Sequence, residues 1–363
     1  MRQICQMGSG GYTRRHFGID SRMEGGSGMS SSGYDVIGIG NAIVDVLAKM
    51  DDSFLAEHKL VKGAMTLIDA PTASHLYSAL GPAIECSGGS AANTMAGIAS
   101  LGGRAAFIGK VCADQLGGVF NHDIRAAGVH FSTPPIKGPQ APPTARCLVM
   151  VTPDGQRTMQ SYLGACVELG PEDVTQEQIS AARVTYLEGY LWDRPEAKEA
   201  FRKAMKIAHV SGRKVALTLS DAFCVDRHRA EFLELVEKEV DILFANEAEI
   251  TSLYQVSDFD TALTRVRQKK NRIAALTRSE KGAVIVGGES VYTVAAERIP
   301  KLVDTTGAGD LFASGFLYGL THGHNLPSAG RIAAICAAEI ISHIGARPEV
   351  SLKDLVLARM GQS

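Results

Sequence analysis

The sequence predicts an α/β fold: a doubly wound, mainly parallel sheet flanked by helices, with a second, small β-sheet. Three observations support this prediction. Short apolar runs typical of strands alternate with helical patterns along much of the chain, as in βαβ units. These runs are continuous, as expected of parallel strands that are covered on both faces. A hairpin pattern interrupts the alternation and predicts the small sheet.

The elements follow in a regular order. The predicted strands of the large sheet are residues 34–40, 183–190, 214–220, 240–246, 272–278 and 282–288. The predicted helices between them are residues 194–212, 229–239 and 259–269. The Ala-rich segment 307–344 predicts two packed helices, since it is apolar over most of its length.

Two segments depart from the alternation. Residues 49–86 carry a helix and short strands, and residues 145–163 form two alternating runs joined by the turn PDGQ, which is typical of a hairpin. We expect these segments, with approximate bounds 46–86 and 138–165, to pair into a small sheet away from the main one.

Composition excludes several classes of function. The chain has 363 residues and a net charge of −2, so one large domain or two smaller ones is expected and charge gives no case for nucleic acid or anionic membranes. No apolar run approaches the roughly 18–20 residues of a membrane span. The seven cysteines form no CxxC pair, which favours reduced thiols and a cytoplasmic protein over a disulfide framework or a zinc site.

Residues 1–33 differ from the rest of the chain. They are rich in Gly and Ser and have no apolar periodicity, so we expect a disordered leader or tag. They also lack the apolar region of a secretory signal. The fold prediction therefore concerns residues 34–363.

The segment DTTGAGD places three small residues before a carboxylate where a helix begins. Gly307, Ala308 and Gly309 let backbone N–H groups converge on one point, and the helix dipole favours an anion there. A carboxylate beside an anion hole is repelled by the anion, so Asp310 is expected to have a compensating task, removing the proton of an attacking hydroxyl. The alternative is an ordinary strand-to-helix turn with a capping Asp.

Two further clusters offer polar groups beside glycines. In SGGSAAN, Gly89 would permit a close approach of a ligand, and Ser90 and Asn93 offer hydrogen bonds. In GIGNAIVD, Asn41 and Asp45 are predicted just past the end of the first strand. A carboxylate there is suited to binding the vicinal hydroxyls of a sugar.

The segment NEAEI follows the strand at 240–246. Asn246 and Glu249 are three residues apart and share one face of a helix, so they could hold a hydrated Mg²⁺ beside phosphates. The same pattern is also that of an ordinary helix N-terminus.

These four clusters, in this order, resemble the ribokinase-like (PfkB) family of small-molecule kinases. GGSAANTMAGIASLGGRAAFIGKVCADQLG is similar to the family's N-terminal signature and DTTGAGDLFASGF to its highly specific C-terminal one. The resemblance extends from residue 34 to the C-terminus. It implies that the small sheet is a lid, that ATP and Mg²⁺ are cofactors, often with a monovalent cation such as K⁺, and that the substrate is a small molecule.

Within the family, GNAIVD, DDSFLAEHKL and TLSDAF resemble the adenosine kinases. The resemblance implies ATP-dependent phosphorylation of the 5′-hydroxyl of adenosine by a monomer or homodimer. It implies that Asp310 is the base, that residues 307–309 form the anion hole, and that Arg157 is a lid arginine near the phosphates. The other implied site residues are Asn41, Asp45, Gly89, Ser90, Asn93 and Phe223 for the nucleoside, Asn246, Thr277 and Gly282 for the nucleotide, Glu249 for Mg²⁺ through water, and Asp304 and Thr306 for the monovalent cation.

The sequence offers further candidate site residues and alternative functions. Tyr190 and Trp192 are further candidates for contact with the base, and His343 lies near the segment to which the family assigns the adenine of ATP. Thr277 departs from the family pattern, because Arg278 and Ser279 follow it where a Gly is common. The alternatives are a sugar kinase for ribose or fructose, a kinase for another nucleoside, and a non-catalytic binding protein. Ile43 disfavours a dinucleotide-binding enzyme, since it replaces the third glycine of that motif.

Overall fold

The structure is a computed structural model that describes residues 33–269 and 272–361. Except for Gly33, the predicted leader at residues 1–33 lies outside the described residues. The described strands, in chain order, are β1 Tyr34–Ile39, β2 Ile43–Lys49, β3 Met65–Leu67, β4 Ile84–Gly88, β5 Ala105–Ile108, β6 His130–Phe131, β7 Ala145–Val151, β8 Arg157–Tyr162, β9 Ala182–Glu188, β10 Lys214–Thr218, β11 Ile242–Asn246, β12 Ile273–Thr277, β13 Ala283–Gly287 and β14 Ser290–Val294.

Helices occupy most connections between the strands. The described α-helices, in chain order, are α1 Asp52–Glu57, α2 Ala70–Ala79, α3 Ser90–Ser100, α4 Gln115–Ala126, α5 Gln176–Ser180, α6 Pro195–Val210, α7 Ala222–Lys238, α8 Glu247–Tyr254, α9 Phe259–Arg267, α10 Ala308–Thr321, α11 Leu326–Ile340 and α12 Leu352–Met360. Within the described ranges, no helix is both long enough and apolar enough to cross a membrane.

The large sheet confirms the predicted fold class. Its strand order is β14-β13-β12-β11-β10-β9-β1-β5-β6, and the strands from β12 to β6 are parallel to one another. β13 pairs antiparallel with β12, and β14 pairs antiparallel with β13, because the short links between these strands cannot carry the chain back across the sheet.

Helices cover both faces of this sheet, as expected for a doubly wound fold. On one face, Phe107 packs with Phe120 of α4 and Phe131. On the other, Trp192 packs with Phe201 of α6 and Phe232 of α7. Alternate residues of each strand enter the two cores, since successive side chains of a strand point to opposite faces.

The small sheet has the order β3-β8-β7-β2-β4. Its hairpin β7–β8 is the one predicted at residues 145–163, with antiparallel pairing. The first strand of the small sheet begins at Ile43, three residues before the approximate bound of 46 that we predicted for the first lid segment. Asp45 accordingly lies within β2, opposite Cys86 and Cys147, and not just past the end of the first strand as predicted.

Helices α10 and α11 pack closely, as predicted for residues 307–344. Small residues make this possible: a Cβ at Gly315 would lie 2.7 Å from the Cα of Ala333, and one at Gly319 would lie 2.7 Å from the Cα of Ala329. This packing fixes the N-terminus of α10, where the DTTGAGD segment ends.

Candidate active site

A cavity of about 800 Å³ opens at the carboxyl ends of the parallel strands. Its walls include Thr218, Asn246 and Thr277, at the ends of three neighbouring strands, and Gly309 and Asp310 at the start of α10. Ligands of doubly wound sheets bind at this edge. The cavity is large enough for a nucleotide, since small-molecule pockets span roughly 300–1,000 Å³.

The N-terminus of α10 lines this cavity. Gly307 has a φ of +79°, a left-handed conformation that favours glycine. A side chain at Gly309 would meet no protein atom within 4 Å, so a ligand could approach the backbone there. The N–H of Ala308 donates to the carbonyl of Thr305 at 3.2 Å, whereas the N–H groups of Gly309 and Asp310 belong to a helical turn that supplies no intrahelical acceptor.

Asp310 is held by two side chains from the start of α3. The hydroxyl of Ser90 donates to Oδ1 at 2.6 Å, and Nδ2 of Asn93 donates to Oδ2 at 3.0 Å. Burial raises the pKa of Asp310, although both hydrogen bonds and the positive charge of Arg347 act in the opposite direction. The structure thus brings together residues 90, 93 and 310, which are far apart in the sequence.

Gly88 and Gly89 are explained by protein atoms. A side chain at Gly88 would overlap the carboxylate of Asp45, and one at Gly89 would overlap the carbonyl oxygen of Asn41. Gly89 also has a φ of +99°, which favours glycine. The close approach that we predicted for a ligand at Gly89 is therefore made by the backbone at Asn41.

Glu188, the last residue of β9, lies in the same region and was not among the predicted site residues. Its carboxylate accepts hydrogen bonds from Nδ2 of Asn41 at 2.7 Å and from the N–H of Ala91 at 2.8 Å. Burial is the main cause that raises the pKa of Glu188 to about 7. The sequence did contain a signal, because Glu188 ends a buried strand just as Asn246 does.

Asp45 of β2 and Arg347, which follows α11, interact electrostatically. Burial raises the pKa of Asp45 to about 6, although the charges of Arg347 and Arg157 lower it. Arg347 was also overlooked in the sequence, since nothing in the segment SHIGARP indicates that its side chain reaches β4 and α3.

The predicted lid arginine contacts the DTTGAGD segment. Arg157, the first residue of β8, pairs with Oδ2 of Asp304 at 2.6 Å and donates to the hydroxyl of Thr306 at 2.9 Å. Oδ1 of Asp304 accepts from the N–H and the hydroxyl of Thr306, and Oδ2 also accepts from the N–H of Gly345. Asp304 is therefore fully engaged with protein donors.

Asn246 and Glu249 form a capping box at the start of α8. The Asn246 side chain accepts from the N–H of Glu249 at 2.9 Å, and the Glu249 carboxylate accepts from the N–H of Asn246 at 3.0 Å. Both residues line the cavity, and burial raises the pKa of Glu249 to about 7. Gly282 lines the same cavity. It has a φ of +82°, and a side chain there would overlap the carbonyl of Val294, so this position requires glycine.

The aromatic candidates have different positions. Trp192 is buried in the core and its Nε1 donates to Glu231 at 2.6 Å, so this candidate has the core position that an aromatic residue here more often takes. Phe223 is 77% exposed at the start of α7, and Tyr190 is partly exposed and donates to the carbonyl of Ser220. His343 pairs with Glu339 at 3.0 Å in a neighbouring cavity of about 350 Å³, which shares Glu297, Arg298, Ile299 and Ala338 with the larger one.

Comparisons with known proteins agree with this geometry. The chain is 55% identical to an adenosine kinase from Sinorhizobium meliloti, with a TM-score of 0.81 and coverage of 91% of this chain and 99% of that one. It is 54% identical to a probable sugar kinase from Rhizobium etli CFN 42, with a TM-score of 0.82 and the same coverage. Among curated proteins, the adenosine kinase of Saccharomyces cerevisiae is 25% identical over 328 residues, which cover 85% of this chain and 94% of that protein.

The family itself is identified by residues 83–352, which match the pfkB family of carbohydrate kinases. This span contains both glycine-rich segments, the capping box and Asp310. The same family was predicted from the sequence, and the prediction is confirmed. The chain belongs to the pfkB family of carbohydrate kinases.

Proposed function

We propose that the protein transfers the γ-phosphoryl group of ATP to the 5′-hydroxyl of adenosine and forms AMP. The observation that carries this proposal is the position of Asp310: a carboxylate held by Ser90 and Asn93 at the N-terminus of a helix, on the wall of a cavity of nucleotide size. The 55% identity to an adenosine kinase over 91% of the chain supports the choice of substrate.

Asp310 acts as the general base. Its carboxylate accepts the proton of the hydroxyl as the oxygen attacks the γ-phosphorus in line. Burial raises the pKa of Asp310, which makes it a stronger base than an exposed aspartate. The N–H groups of Gly309 and Asp310, which have no acceptor within the helix, and the dipole of α10 stabilise the negative charge on the transferred group.

The acceptor nucleoside binds between the small sheet and the start of α3. Asp45 accepts hydrogen bonds from the ribose hydroxyls, and Asn41, Ser90 and Asn93 complete the polar contacts. Phe223 is exposed, and its ring is available to stack on the adenine base.

The nucleotide lies against the ends of β11 and β12. Glu249 fits a hydrated Mg²⁺, because its buried carboxylate lines the cavity and has a raised pKa, so a cation would stabilise its charged form. Bound Mg²⁺ would neutralise charge on the phosphates. Asp304 does not fit the predicted monovalent cation, because Arg157 pairs with its carboxylate.

A second candidate is a sugar kinase. The 54% identity to a probable sugar kinase favours it, and Glu188 beside Asn41 supplies another carboxylate near the acceptor. Purified protein should be given ATP and Mg²⁺ with a panel of nucleosides, ribose and fructose, with and without K⁺, and ADP formation measured. We expect the highest kcat/KM with adenosine, and higher turnover of a sugar or another nucleoside would contradict the substrate assignment.

Assembly and location are also part of the proposal. A cytoplasmic location is compatible with the free thiols of the six described cysteines. We expect the protein to be a monomer or a homodimer. Sedimentation of the purified protein would measure the oligomeric state directly.

A further inference from the structure

The short loop Gly345, Ala346 and Arg347 contacts both halves of the candidate site. On the phosphate side, the N–H of Gly345 donates to Asp304 at 3.0 Å, and a side chain at Gly307 would come within 3.0 Å of Ala346. On the acceptor side, the side chain of Arg347 reaches the end of β4 and the start of α3. Movement of this loop would therefore displace both halves of the site together.

Arg347 makes its contacts with carbonyl groups. Nε and Nη2 donate to the carbonyl of Ser87 at 3.0 and 2.6 Å, and Nη1 donates to the carbonyl of Ala92 at 3.0 Å. Nη2 also donates to the hydroxyl of Ser87 at 2.8 Å, and Ser87 in turn donates to Asp123. The two carbonyls flank the segment that carries Gly88, Gly89 and Ser90, so a planar guanidinium fixes the turn that holds Asp310.

The titratable groups around Asp310 come from four segments of the chain. Asp45 of β2, Glu188 and Tyr186 of β9, Tyr190 just after β9, and Arg347 of the C-terminal loop all interact with it electrostatically. Arg347 is the positive group of this set, and it lowers the pKa of both Asp310 and Asp45. Loss of this charge would make both carboxylates harder to ionise.

We propose that Arg347 is a positioning residue for phosphoryl transfer, which fixes the backbone between Ser87 and Ala92 and supplies the positive charge that keeps Asp310 and Asp45 ionised. This proposal rests on the proposed function, since it assigns Asp310 the role of base. The side chain of Arg347 has two properties in this role: the hydrogen bonds of its planar guanidinium and its positive charge.

Two substitutions test the properties separately. Arg347→Lys keeps the charge but cannot bridge both carbonyls, so kcat/KM for the acceptor should fall about tenfold while the acidic limb of its pH profile stays in place. Arg347→Gln removes the charge as well, so the acidic limb should move to higher pH by about one unit. Activity depends on ionised Asp310, and raising its pKa must shift the limb in this direction. Arg125→Gln, on the exposed surface of α4, is the matched control and should change neither quantity.

The outcomes distinguish this proposal from the substrate assignment. The wild-type protein is measured first with the panel of acceptors, and the variants are then compared on whichever acceptor it phosphorylates best. A sugar as best acceptor would overturn the adenosine assignment while the Arg347 comparison still applies. A limb that is unmoved in a folded Arg347→Gln, or a wild-type kcat/KM in Arg347→Lys, would overturn the role of Arg347. The measurement on Arg347→Lys tests the role of Arg347 even if Arg347→Gln does not fold. A wild-type protein that is inactive on every acceptor would overturn both proposals.

Discussion

Asp310 is the residue on which the proposed chemistry depends most directly. Asp310→Asn keeps the shape of the side chain and retains a hydrogen-bonding group for Ser90 and Asn93, so the variant should fold. The amide cannot accept the proton of the hydroxyl, and kcat should fall by about 10²–10⁴-fold. Steady-state ADP formation measures the loss, and calorimetry with adenosine should give a dissociation constant close to that of the wild type.

The control for this prediction is Asp258→Asn. Asp258 caps α9 by accepting from the N–H of Thr261 at 2.8 Å, a role that Asn also fills. Its kcat should equal that of the wild type. Turnover of Asp310→Asn within a few-fold of that control would exclude Asp310 as the base.

At the residue scale, the sequence motifs identified the site residues that lie within the motifs themselves. They did not identify site residues elsewhere in the chain. Ser90, Asn93 and Asp310 were predicted and are in contact. Glu188 and Arg347 were missed because they lie outside the four clusters, and their contacts depend on the packing of the whole domain. Trp192 was a candidate for contact with the base and is buried, because the exposure of an aromatic ring cannot be inferred from its neighbours in the sequence.

At the scale of elements, the hairpin β7–β8 brings Arg157 to the segment before α10. Its pair with Asp304 joins the small sheet to the phosphate side of the site. Arg157→Met should lower adenosine-dependent ADP formation about tenfold or more and increase the share of ATP that is hydrolysed without acceptor. The reason is that a lid which closes less completely admits water.

This prediction needs measurements of ADP with and without adenosine. Lys62→Met is the control, because Lys62 of the same sheet region pairs with Asp52 and Asp154 at the surface, where such pairs contribute about 0–1 kcal/mol. An unchanged ratio of hydrolysis to transfer in Arg157→Met would show that Arg157 does not take part in closure.

The pair α10 and α11 illustrates how small residues determine a helix contact. Gly315→Ala places a methyl group 2.7 Å from the backbone of Ala333, and overpacking of this kind costs about 1–3 kcal/mol of unfolding free energy. Gly118→Ala in α4 is the matched control, since a side chain there meets nothing within 4 Å and alanine favours a helix by about 0.5–1 kcal/mol. Urea unfolding should show a lower free energy of unfolding for Gly315→Ala and a higher one for Gly118→Ala. An unchanged free energy of unfolding in Gly315→Ala would mean that the two helices move apart without cost.

At the scale of the whole molecule, the sequence predicted the large sheet well because apolar periodicity is a local property. It predicted the small sheet less well: β2 and β4 pair across about 40 residues, and Asp45 was placed outside a strand. The register of long-range pairs is set by which faces are buried, and this information is spread over several elements.

Buried carboxylates also give the whole domain a characteristic response to pH. Glu188, Glu249 and Asp45 have raised pKa values of about 7, 7 and 6. A group whose folded pKa is raised binds its proton more tightly in the folded state, so its contribution to stability falls as pH rises from the unfolded pKa to the folded one. Each of these groups should therefore destabilise the ligand-free protein most fully above pH 7.

Glu188→Gln isolates one of these contributions. In the wild type, Glu188 lowers the free energy of unfolding between about pH 4.5 and 7, by roughly 3 kcal/mol in full. The amide does not titrate, so the loss of stability from pH 5 to pH 8 should be smaller in the variant by about 2–3 kcal/mol, as measured by urea unfolding without ligands. Glu196→Gln, at an exposed position of α6, should keep the wild-type slope. Equal slopes in all three proteins would mean that Glu188 is ionised in the folded protein at pH 5, and that its contact with Asn41 is that of a permanent anion.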